Sequence, residues 1–346
     1  MRIVVAFALL ATACAGAPKP AAAPEAPAAP EAASAAPVAA ATEAAAVPEA
    51  TSFLGAPLFP PPLAPKARAI HEANLAEARA RYDASPDDPD AILWLGRRTV
   101  YLGRHREAIA IYTRGIQQHP QDARLYRHRG HRYITLRQPD LAIADLQRAA
   151  QLRQGLDDQV EPDGIPNAQG IPVSTLHTNI YYHLGLAHYL RGQLAPAIAA
   201  YRHCLAASKN DDMIVATTYW LYLALQRTGQ PQKAQALLAP IDDRMRLIEN
   251  TTYHQLLLLF KGEQTAQALL QQDGEDPVAN ATLGYGIARW YAHRGQPQKA
   301  RQTLQQIQQS PQWGAFGYIA AEADLAADPA ADLGADPAGP APQTAP

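Results

Sequence analysis

Cysteine is almost missing from this chain: 346 residues carry two, Cys14 and Cys204. A disulfide framework is excluded if Cys14 meets the fate argued below. An excess of one charge is missing too. Thirty basic residues against 32 acidic ones leave a net charge of −2, so no strongly basic surface is implied and nucleic acid is not expected as the main partner. The signatures of catalysis are also absent from the sequence. It has no glycine-rich phosphate loop, no His-Glu-x-x-His, no Cys-x-x-Cys and no nucleophile elbow. No enzyme class is indicated, and no cofactor or metal is assigned.

What the chain does have is a period. Gly229-Gln-Pro-Gln-Lys-Ala234 returns as Gly295-Gln-Pro-Gln-Lys-Ala300, 66 residues on, with Gly262-Glu263-Gln264 midway between. Each is a tight turn followed by a helix-forming run, so the chain counts in units of about 33 residues. That spacing marks a stacked array of helical hairpins. Residues 64–83 read as one amphipathic helix with Ile70, Leu75 and Ala78 on a common face, stopped by Ser85-Pro86-Asp87-Asp88-Pro89. Full units follow at about 89–122, 123–153, 178–211, 215–246, 248–273 and 281–311, and residues 313–326 form a helix suited to cap the stack. The adjacent acid pairs Asp87-Asp88, Asp157-Asp158, Asp211-Asp212 and Asp242-Asp243 read as solvated helix starts.

The amino terminus has a different logic. Met1-Arg2 precedes the apolar run Ile3 to Ala13, which is too short to span a bilayer and suits an export signal. Ala11-Thr12-Ala13 lead into Cys14. This resembles a bacterial lipoprotein signal, although Leu10 stands one place further from the cysteine than in most such signals. The resemblance implies a signal peptide at 1–13, a lipid-bearing Cys14 and, because Ala15 follows, the outer membrane facing the periplasm. The alternative is an ordinary signal and a soluble periplasmic or secreted product. Residues 14–63 are rich in Ala and Pro, which prevents continuous helix and makes a disordered tether. Its end, Phe53-Leu54 and Leu58-Phe59, is apolar enough to dock on the first helices. The tail, 327–346, is Ala/Pro/Asp-rich and reads as disordered.

Within the units, Leu95-Gly96 and Leu184-Gly185, then Ala197-Ile198 and Tyr201, set a small residue and an aromatic at fixed places in paired helices. That pattern resembles the tetratricopeptide repeat. It implies an all-α fold: a right-handed α-solenoid of about six hairpins with capping helices, over residues 64–326. Small residues such as Gly96, Gly130, Gly185, Ala108, Ala142 and Ala197 let the helices approach closely. Cys204 falls where a small buried residue is needed.

The family also implies a concave groove lined by the first helices. Here it would present Arg97, Tyr101, Arg127, His131, Tyr182, Tyr189, Tyr219, Tyr285 and Arg289 to an envelope protein or peptide with acidic groups. Arg127 with His131 does not reproduce the Lys/Asn clamp of chaperone-binding members. The expected role is a membrane-anchored interaction scaffold. The rival reading is a metal- or ligand-binding module built on His177, His183, His188, His203 and Asp211-Asp212 of the third repeat, with the insertion at 155–177. That insertion breaks the period by about 21 residues and is acidic at Asp157, Asp158, Glu161 and Asp163.

Overall fold

A computed structural model describes residues 47–272 and 280–327. Cys14, most of the tether and nearly all of the tail lie outside the described residues. Among those described are fourteen helices and one two-stranded hairpin, β1 (Ala50–Thr51) with β2 (Pro57–Leu58). Helix α1 (Pro65–Ala84) leads into six helix pairs: α2 (Pro89–Val100) with α3 (His105–Gln118), α4 (Ala123–Thr135) with α5 (Pro139–Arg153), α6 (Leu176–Leu190) with α7 (Leu194–Ala207), α8 (Asp211–Arg227) with α9 (Pro231–Ala236), α10 (Thr251–Lys261) with α11 (Ala266–Gln272), and α12 (Ala281–His293) with α13 (Pro297–Ile307). Helix α14 (Phe316–Ala326) closes the stack. The chain is an all-α solenoid.

The helix starts follow from local chemistry. Asp88, Asp122, Asn210 and Asn280 each accept a backbone N–H of the first turn, and Thr175 forms a capping box with Thr178. Proline opens α1, α2, α5, α9 and α13, where its missing N–H costs no bond. Close packing within a pair needs a residue without a side chain on the first helix. A Cβ added at Gly185 would lie 2.6 Å from the Tyr201 ring, and one at Gly130 would lie 2.8 Å from Leu146.

Two expectations change. In the fourth unit α9 ends at Ala236, with Pro240 shortly beyond it, and the chain to α10 is irregular. The buried Asp212 carboxylate organises that stretch by accepting the N–H groups of Ile248, Glu249 and Asn250 at 2.8–3.0 Å. The acid pair therefore serves as more than a helix start. In α1, Ile70 is exposed and only Ala78 is buried, because the helix has one packed neighbour, α2.

The array is also drawn shut by contacts between residues far apart in sequence. Turns between paired helices carry a glycine with positive φ at Gly103, Gly192, Gly229, Gly262 and Gly295. In the second unit that place belongs to Arg137, the one non-glycine among the described residues with positive φ, at 60°. Its guanidinium forms a two-bond pair with Glu322 of α14 (2.8 and 2.9 Å) and donates to the Trp313 carbonyl (2.8 Å). The Phe53 N–H donates to the same carboxylate at 3.2 Å, and Trp313 Nε1 donates to the Phe59 carbonyl. The end of the tether thus meets the last helix as well as the first hairpin, where Arg106 donates to Glu49. Leu58 is buried there, whereas Leu54 and Phe59 stay exposed.

Removing the Glu322 carboxylate would leave Arg137 buried without its counter-charge. Glu322→Ala is expected to cost about 3 kcal/mol or more in urea unfolding. Glu72→Ala, which breaks the exposed Arg68–Glu72 pair, should change stability by less than about 1 kcal/mol. Equal losses in the two variants would show that the Glu322 pair does not hold the stack.

Candidate functional site

The side chains expected to line the groove fall into a basic cluster and an aromatic cluster, and other parts of the chain contact both. In the basic cluster, Arg97 and Arg98 of α2 stack over Trp94, 4.4 and 4.9 Å from its ring centre. Arg97 donates to the Pro162 carbonyl and Arg98 to the Gly164 carbonyl, both at 2.7 Å. Arg127 of α4 lies 3.2 Å from Glu161, and Asn179 of α6 donates to that carboxylate at 3.1 Å. His128 sits between, with Nδ1 3.0 Å from Arg127 and Nε2 3.0 Å from Glu161. Burial alone would push the Glu161 carboxyl up, but Arg127, His128 and Arg97 together hold it well below the usual carboxylate range. The acidic insertion therefore lies over the first three repeats. Its base is clipped by the Val160–Thr175 bridge.

In the aromatic cluster the tyrosines meet one another across the array. Tyr182 and Tyr253 hydroxyls are 3.1 Å apart, and Trp220 Nε1 donates to Tyr182 at 2.8 Å. Tyr285 donates to Asp324 of α14 at 2.9 Å, so its single proton is spent and Tyr189, 2.8 Å away, donates to it. Arg227 and Arg289 each lie 3.2 Å from Asp324. Tyr219 packs edge-on against Trp220 and beside Tyr253.

These positions correct the picture of an open groove. Arg97, Arg127, Tyr182, Tyr189, Tyr219, Tyr285 and Arg289 are buried, and Tyr101 and His131 are half-buried. Arg97 and Arg127 contact the insertion, Tyr285 and Arg289 contact α14, and Tyr219 is covered by Tyr253 and Phe260 of α10. The reason is electrostatic: buried guanidinium groups require carboxylates, and the chain supplies Glu161 and Asp324. Sequence reasoning missed Arg98, His128 and Asn179 beneath the insertion, and Arg137, Glu322 and Asp324 at the closure. Two signals were present. Arg137 stands where other turns carry glycine, and Glu322 and Asp324 interrupt an otherwise apolar helix.

The histidines of the rival reading have separate partners. His177 Nδ1 is 3.7 Å from Asp158; His183 shares a hydrogen bond with the Asn179 carbonyl and lies 4.2 Å, ring to ring, from His131. His188 bonds Gln193, and His203 stacks on Tyr181. Among the described residues no group of three or more His, Cys, Asp or Glu is placed to hold a metal. Cys204 is buried within 3.1 Å of the Thr217 hydroxyl, and burial pushes its thiol up to about 12, far from a reactive thiolate.

Comparison with known proteins agrees with the helix pairing. Two models of the tetratricopeptide repeat match residues 178–211 and 282–312, the spans of α6 with α7 and α12 with α13. These two stretches of the chain match the tetratricopeptide repeat. No curated protein matches it. Similar solved structures include MamA, 17% identical over 58% of this chain and 89% of that one, with a TM-score of 0.39. Another is YrrB, described as a tetratricopeptide protein with an unusual peptide-binding site, 14% identical over 68% of this chain and 92% of that one, also at 0.39.

The packed repeats hold several histidines neutral. His105, His128 and His183 have pKa values lowered from 6.5 to about 3, each first by burial and then by neighbouring arginines. A depressed folded pKa means that only the unfolded chain takes up these protons between about 6.5 and 3. Stability is full above that window and falls with pH through it, by on the order of 1 kcal/mol per pH unit for each group. Urea midpoints at pH 7, 5.5 and 4.5 should decline steadily; a flat series would mean that the histidines are solvated.

Proposed function

We propose that this protein is a lipid-tethered scaffold of the bacterial cell envelope that receives an acidic segment of a partner protein on the concave face of its repeats. The observation that carries this reading is the occupancy of Arg97, Arg98 and Arg127 by an extended acidic segment of the chain's own insertion. Guanidinium groups held in a fixed fork suit carboxylates and main-chain carbonyls. With Trp94 and Tyr101 beside them, they form a surface whose chemistry is recognition, not bond-making. Tetratricopeptide arrays are in general non-catalytic scaffolds, and no catalytic role is proposed here.

The envelope setting rests on the sequence: an export signal at 1–13, a lipid-bearing Cys14 and a long Ala/Pro tether. Several acyl chains on one residue give durable anchoring, whereas a single chain would not. Such a tether would let the solenoid reach partners on the order of 100 Å from the outer membrane at about 3 Å per residue.

Two measurements test the proposal. Cys14→Ser should release the protein from membranes; a protein that stays in the membrane fraction without an acyl label ends the lipoprotein reading. A photo-crosslinker placed at Arg98 should capture an envelope protein through an acidic segment, mapped by mass spectrometry. Crosslinking from Lys66 on α1 should not. The same capture from both positions, or through a segment without acidic residues, would move the interaction off this face.

A further inference from the structure

The insertion is turned inside out for a packed loop. Its polar groups face the protein: the Glu161 carboxylate and the carbonyls of Pro162 and Gly164 take the donors of Arg127, Asn179, Arg97 and Arg98. Three of its large apolar side chains are left outside, with Val160 64% exposed, Ile165 60% and Ile171 52%, whereas Val173 is buried. A loop kept only to complete the core would bury its isoleucines. Two of its four contacts with α2 and α4, those of Arg97 and Arg98, use main-chain carbonyls, which any extended segment offers.

The fit is also imperfect in a specific way. A cavity of about 250 Å³ lies beneath the insertion, lined among others by Tyr101, Arg127, Asp163 and Glu249. Asp163 Oδ2 is buried there without a hydrogen-bond partner, and Glu249 is close enough to repel it. Of the two acids in residues 161–174, Glu161 is fully held and Asp163 is not. At Gly164 the backbone passes so close to Tyr101 that an added Cβ would overlap the phenol hydroxyl.

We infer that residues 161–174 are a displaceable strap, an intramolecular stand-in for the ligand, and that the partner segment is extended and carries one carboxylate followed by uncharged residues. This rests on the proposal that the basic cluster of the concave face binds a partner. A competitor that copies Glu161 and the two carbonyls, but has no acid facing Glu249, makes the same bonds without the strained one. The strap thus sets a threshold that the partner must exceed.

The probe is the synthetic heptapeptide Val-Glu-Pro-Asn-Gly-Ile-Pro, fluorescently labelled and followed by anisotropy. The protein is the full chain with 161–174 replaced by Gly-Ser-Gly; Val160 and Thr175 are already bridge partners, so a short turn joins them. The excised chain should bind the peptide at least tenfold more tightly than wild type. Asp163→Asn in the intact chain should weaken binding below wild type, because it removes the repulsion that loosens the strap. Arg97→Ala with Arg98→Ala should abolish binding to the excised chain. If excision disturbs folding by circular dichroism, Gly164→Ala lifts the strap in the intact sequence and should raise affinity in its place. Equal binding by wild type and the lifted variants overturns the strap and leaves the interaction face standing. No binding by any folded variant overturns both.

Discussion

The carboxylate of Glu322, buried in the last helix, decides what the concave side of this array can be. Its partner Arg137 sits in a backbone conformation that glycine occupies in the other turns, at φ of 60°. A non-glycine residue there is disfavoured, and the buried pair offsets that cost. Because one guanidinium reaches both Glu322 and the Trp313 carbonyl, the carboxy-terminal helix is held against the second repeat. The tether's end joins at the same point through Phe53 and Phe59. With α14 fixed, Asp324 lies among Arg227, Arg289 and Tyr285. The aromatic cluster is thereby a core.

The basic cluster is closed by weaker means. The strap is held by the Glu161 carboxylate, the carbonyls of Pro162, Gly164 and Val173 and the Asn167 side chain, has a cavity beneath it and carries its isoleucines outward. The two clusters thus differ in kind. One is sealed by a fully buried ion pair, where an unpaired charge would be prohibitive. The other is covered by groups that a second chain can imitate. The arginines beneath the strap are thereby never left bare.

Much of the architecture was legible from repeating local signals. The two Gly-Gln-Pro-Gln-Lys-Ala turns fixed the register, and the six expected units correspond to the six helix pairs, with α6 and α8 starting earlier than expected, at Leu176 and Asp211. Pro and Asp at helix starts, glycine in turns and small residues between paired helices act over a few residues, so they can be read from spacing alone. Arg97, Arg127, Tyr182, Tyr189, Tyr219, Tyr285 and Arg289, singled out in the sequence as an open groove, are buried. Their partners were not legible. Phe53 finds Glu322 across 269 residues, Arg137 finds it across 185, and Tyr189 finds Tyr285 across 96.

The sequence by itself determined the helical hairpins, their order and the chemistry of the side chains that face inward, because each depends on near neighbours along the chain. Only the tertiary structure decided that the inner face would be filled and by what. The contacts that fill it, such as Arg137 with Glu322, Arg289 with Asp324 and Arg127 with Glu161, join a repeat to a segment outside it, and no single repeat encodes them.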